Sequence, residues 1–80
     1  MKKEFEEKIK DCIRKTDEII QEVEHVDGDT TVVLVRSRNG RYSIIRAFNW
    51  GNKISVIVDF RDVDAETIMK KFIEEHYRYY

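Results

Sequence analysis

Residues 30–60 read TTVVLVRSRNGRYSIIRAFNWGNKISVIVDF, and this stretch decides the fold. It holds three β-prone runs, at 30–38, 41–50 and 53–60, separated by Asn39-Gly40 and Gly51-Asn52. Asn-Gly between two apolar runs supplies the positive φ angles that a two-residue hairpin loop requires. The second connection admits either a two-residue loop on Gly51-Asn52 or a three-residue loop with Asn52 left-handed. A three-stranded antiparallel meander follows in both cases.

Pairing partners in a sheet share a face, so the loop length sorts the side chains. A loop on Asn39-Gly40 sets Arg38 opposite Arg41, Val35 opposite Ile44, Val33 opposite Arg46 and Thr31 opposite Phe48. One face then carries Val33, Val35, Tyr42, Ile44, Phe48 and Trp50. The other carries Val32, Leu34, Ile45 and Ala47, and a two-residue second loop adds Ile54, Val56, Val58 and Phe60 to it. Both faces are more apolar than one-sided burial needs.

Helical sequence flanks the strands. From residue 2 to about 25, Phe5, Ile9, Cys12, Ile13, Ile19, Ile20 and Val23 recur at three and four with charges between them, which predicts one amphipathic helix. Asp27-Gly28-Asp29 ends it, Gly28 suiting a left-handed position. After residue 60, Asp62 or Asp64 can cap a second helix whose stripe is Ala65, Ile68, Met69, Phe72, Ile73 and His76. The expected fold class is α+β: a single domain over residues 1–80, two-layered, in the order α-β-β-β-α, with both helices packed on one face of the sheet.

Eighty residues of formal net charge -1, 39% of them charged, leave no global field to recruit nucleic acid, anionic lipid or acidic substrate. The chain is near the size at which one core is marginal, so self-association would help it. The lone Cys12 excludes an intramolecular disulfide, and the longest apolar run, Val32 to Val35, is far too short to span a membrane. A cytoplasmic protein is expected.

The motifs point away from chemistry. Asp27-Gly28-Asp29-Thr30 resembles the start of a calcium loop but lacks the later Glu at EF-hand spacing. Cys12, His25 and His76 are scattered without metal-ligand spacing. Ser37, Ser43 and Ser55 sit inside strands with no glycine elbow. No catalytic residue, metal or cofactor is expected, and the chain reads as a non-enzyme. The tail from His76 to Tyr80 ends in aromatics that suit the edge of a core.

One charge feature stands out. Arg36, Arg38, Arg41, Arg46 and Lys53 make the sheet basic, since Asp59 is the only acid in residues 30–60. The face left by the helices, with Val35, Tyr42, Ile44, Phe48, Trp50 and those four arginines, is the expected partner-binding surface, meeting a protein or a second copy. The same arginines and aromatics suit nucleic acid as the alternative ligand. The element order is that of double-stranded-RNA-binding domains, whose second helix opens on phosphate-binding lysines. Here Asp62, Asp64 and Glu66 hold that position, with Lys70 and Lys71 about two turns later. In size, mixed charge and surplus apolar face, the chain is similar in general character to small inhibitors carried by phages and mobile elements, such as anti-CRISPR proteins.

Overall fold

The computed structural model describes residues 2–25 and 28–78, the side chains of 75–78 excepted. Its elements are α1 (Lys3–Lys10), β1 (Glu18–Glu24), β2 (Thr30–Arg36), β3 (Tyr42–Trp50), β4 (Lys53–Val63) and α2 (Ala65–Arg78). The strands form one antiparallel sheet in the order β1-β2-β3-β4. The α+β class and the meander of residues 30–60 stand. The sheet has a fourth strand, however, and it comes from sequence that reads as helix.

The long first helix stops at Lys10 because its next donors are diverted. The Arg14 N–H, which a continuing helix would give to Lys10, goes to the Asp17 carboxylate at 2.9 Å, while Asp17 N–H bonds the Arg14 carbonyl at 3.0 Å. A side-chain acceptor thus offers the backbone an alternative to the helix. Beyond this turn β1 pairs with β2 from Glu18↔Arg36 to Glu24↔Thr31, with Ile20 as an extra, bulged residue. The helical spacing of Ile19 and Val23 had a different cause: Ile19 packs into one core and Val23 into another.

Those two cores lie on opposite faces of the sheet. Phe5 and Ile9 of α1 pack on Val33, Val35, Ile45 and Ala47. On the other side Ile68 and Phe72 of α2 pack on Val32, Leu34, Ile44 and Val23. The helices therefore do not share a face, and the order of layers is α1, sheet, α2. Burial explains this, since Val32, Val33, Leu34 and Val35 are all at most 1% exposed and successive side chains of a strand point opposite ways. A strand apolar on both sides needs cover on both, as in sheets sandwiched between helices. Each fully buried side chain of this size contributes about 1.5–3 kcal/mol of transfer free energy.

The first hairpin loop has three residues, not two. Ser37 N–H donates to the Arg41 carbonyl at 2.8 Å and Gly40 N–H to the Ser37 carbonyl at 3.0 Å, which closes a turn over Arg38, Asn39 and Gly40. Gly40 alone is left-handed there, at φ 80°, as a turn followed by a G1 bulge requires. The Ser37 hydroxyl adds a bond to the Arg41 carbonyl at 2.9 Å, and Asn39 Oδ1 accepts the Arg41 N–H at 3.0 Å. The extra loop residue moves the register by one: Leu34 pairs with Ile44, Val33 with Ile45 and Val32 with Arg46. Every side chain of β3 thereby joins the opposite face of β2 from the one a two-residue loop implies.

The second hairpin takes the two-residue option, with Trp50 paired to Lys53 and Gly51 at φ 62°. Ile54, Val56 and Val58 accordingly join Ile45 and Ala47 under α1. Phe60 does not follow them, because the register slips at Asp59 and Phe60 pairs with Ile44 on the α2 side. At the end of β4, Asp64 is the cap of α2, its carboxylate accepting the Thr67 N–H at 3.0 Å. The expected stop signal at Asp27 and the terminal Tyr79 and Tyr80 lie outside the described residues, while Gly28 is left-handed at φ 72°.

Candidate partner-binding surface

The β3–β4 hairpin is longer than the helix laid over it. On β3, Tyr42, Ile44, Arg46, Phe48 and Trp50 share the α2 face by alternation, and α2 covers only the Ile44 end. Lys71 marks the margin of that cover, its ammonium 6.0 Å from the Phe60 ring centroid. Past it the sheet side chains face outward. Trp50 is 73% exposed and Ile57 40%, while Phe48 is half-buried between them.

Contacts within the strip hold it in place. The Trp50 ring meets the Phe48 ring edge-on at 84°, with centroids 6.4 Å apart, a preferred geometry for paired π-systems. The Arg46 guanidinium lies 5.7 Å from the Phe48 centroid and donates to Asp59 Oδ1 at 3.2 Å. Arg46 is the only charged residue of β3, and both side chains of the pair are mostly buried. The pair fixes the inner end of the strip and leaves its outer end, Trp50, to solvent.

The structure divides the nine residues expected to form one surface. Arg46, Phe48 and Trp50 do come together. Val35 and Ile44 do not: they are at most 1% exposed and sit in separate cores, under α1 and α2 respectively. The loop of three residues is the reason, since it placed them on opposite faces. Arg36, Arg38, Arg41 and Tyr42 lie at the other end of β3, roughly 27 Å from Trp50 at the rise of a strand. The arginines of the first hairpin tip and the exposed aromatics are therefore two places, while Arg46 and Lys53 lie with the aromatics.

The arginines at that far end are largely engaged. Arg36 pairs with Glu18 at 2.8 Å, which raises its pKa, and Arg41 donates to the Asp62 carbonyl at 3.1 Å. Asp62 is a left-handed residue, φ 54°, in the irregular last part of β4. Its N–H is bonded by Ser43 Oγ at 3.1 Å and its carboxylate by Arg14 at 2.6 Å, and the Arg14 bond holds the Asp62 carboxyl below its ordinary range. Arg14 also binds Asp17, so one guanidinium ties the turn after α1 to the end of β4. Arg61 repeats the link, donating to the Cys12 carbonyl at 3.1 Å.

Ile57 and Asp59 belong to the strip and escaped the sequence reading. The signal for Asp59 was present: it is the only acid of residues 30–60, and the middle run holds two candidate partners, Arg41 and Arg46. Ile57 was hidden by its neighbours, because alternation in Ile54, Val56, Val58 points to the other face. Neither a family model nor a curated protein nor a solved structure matches the chain. No helix among the described residues is long and apolar enough to cross a membrane.

Proposed function

We propose that this chain is a non-enzymatic interaction protein that binds a protein partner through the exposed aromatic end of the β3–β4 hairpin. One observation carries the reading: Trp50, 73% exposed, stands edge-on to Phe48 on the α2 face of the sheet, beyond the end that α2 covers. Trp dominates binding hot spots, and an indole held by a ring contact loses little freedom on docking. The serines fit a non-catalytic role, since the Ser37 and Ser43 hydroxyls serve the hairpin turn and the Asp62 backbone. Binding by surface alone is also how a small inhibitor of the phage or mobile-element kind, such as an anti-CRISPR protein, would act in the cytoplasm.

Nucleic acid is the less favoured ligand, because Arg36, Arg38 and Arg41 lie at the end of the sheet away from Trp50 and the Arg46 beside the aromatics is paired with Asp59. The test is affinity capture with the wild-type chain and with Trp50→Ala, followed by titration of each captured protein. The expected result is a partner whose affinity falls about thirtyfold or more in the variant, the size of a hot-spot loss. Partners retained equally by Trp50→Ala and Phe48→Ala would overturn the reading.

A further inference from the structure

The two edges of the sheet are built differently. Edge strands present unpaired backbone groups, and proteins blunt them with bulges, charges or short length. β1 has two of these: a bulge at Ile20, and Glu18, Glu22 and Glu24 along it. β4 has a straight, regularly paired run over residues 53–58, Lys-Ile-Ser-Val-Ile-Val, before its first irregularity at Asp59. Its only charge there is Lys53, beside the turn.

The direction of the backbone groups follows from the register. Asn49 N–H points to β2, where it bonds the Asp29 carbonyl at 3.0 Å. Opposed residues alternate between bonded and non-bonded pairs, so Phe48 and Trp50 bond across to Ser55 and Lys53 while Ile54, paired with Asn49, does not. Ile54, Val56 and Val58 therefore turn their N–H and C=O groups to the outer edge, and among the described residues no strand lies beyond it.

We infer that a second copy of this chain pairs with this edge, β4 against β4 antiparallel, about a twofold axis at Val56. The run is self-complementary in that register. Val56 meets Val56 of the second copy, and Ile54 meets its Val58, so three bonded pairs use all six outward groups on each strand. The side chains agree: apolar residues pair on the α1 face, and on the α2 face the 40%-exposed Ile57 lies beside Ser55 of the second copy. Lys53 lies beside Asp59 of the second copy, twice by symmetry, and Asp59 Oδ2 is buried without a hydrogen bond among the described residues. An isologous contact of this kind closes at two chains.

Sedimentation velocity over roughly a hundredfold dilution series measures the association. The expected species at high concentration is twice the 9.7 kDa chain mass. Val56→Pro removes an outward donor and should give a monomer. Val56 also packs toward the α1 core, so Lys53→Glu, at an exposed site, is the second variant; it should weaken the dimer about tenfold by setting acid beside Asp59. Amide exchange at Ile54, Val56 and Val58 should slow as concentration rises. A wild-type chain that stays monomeric throughout overturns the inference, as does a dimer that both variants leave unchanged. Trp50→Ala separates this edge from the aromatic surface: it should keep the dimer while losing the partner. A dimer lost in Trp50→Ala and kept in Val56→Pro would also overturn the edge pairing.

Discussion

Placing the helices on opposite faces makes truncations beneath them independent, and a double-mutant cycle on Ile9 and Ile68 tests this. Both side chains are 0% exposed, one in the α1 core and one in the α2 core. Truncation to Ala would cost about 2–5 kcal/mol at each site, and both together could exhaust the roughly 4–12 kcal/mol expected of an 80-residue domain. Truncation to Val keeps the chain folded, at about 0.5–1.5 kcal/mol each. The two clusters share no side chain, so Ile9→Val and Ile68→Val should add to within about 0.5 kcal/mol. Helices side by side on one face would instead couple through a common boundary, by up to about 3 kcal/mol. Urea unfolding of wild type, both singles and the double at one fixed protein concentration measures all four corners, with unchanged m-values as the check on two-state behaviour. A coupling above about 1 kcal/mol would refute the three-layer arrangement.

Further substitutions probe the turns, the clamp and the strip. Gly40→Ala forces a side chain into the left-handed region and should cost about 1–2 kcal/mol, read as a fall in Tm of roughly 4–16 °C for a domain this size. Trp50→Ala, at an exposed site, should move Tm by only a few degrees, which separates loss of partner from loss of fold. Acid should weaken the clamp at the end of β4. The Asp62 carboxyl is held below its ordinary 3.8 by the Arg14 hydrogen bond, so its contribution is full above that pH and is lost as pH falls through the lower, folded value. Asp62→Asn should therefore flatten the acid side of a stability–pH profile, and an unchanged profile would remove the clamp from the account.

What the sequence disclosed and what it hid divide along a physical line. The three strands of residues 30–60 and the second helix, with Asp62 or Asp64 before it, were legible because local chemistry decides them: β-branched runs, Gly at turns, a carboxylate before an apolar stripe. The register was not, since Asn39-Gly40 serves equally as a two-residue loop or as the last part of a three-residue turn. Ser37 tips the choice, its hydroxyl bonding the Arg41 carbonyl while Asn39 Oδ1 takes the Arg41 N–H. That single residue of slip carried Val35 and Ile44 to different cores and removed them from the candidate surface. The first helix failed for a related reason. Ile19 and Val23 stand four apart, as a helix stripe would, but a strand with one bulged residue between them also sends such a pair to two useful places. Four apolar residues in succession, Val32 to Val35, were the clue, because a strand buried on both sides demands a layer on each. With one helix needed per face, neither can also cover the long β3–β4 hairpin, and Trp50 is left in the open by the same constraint that builds the core.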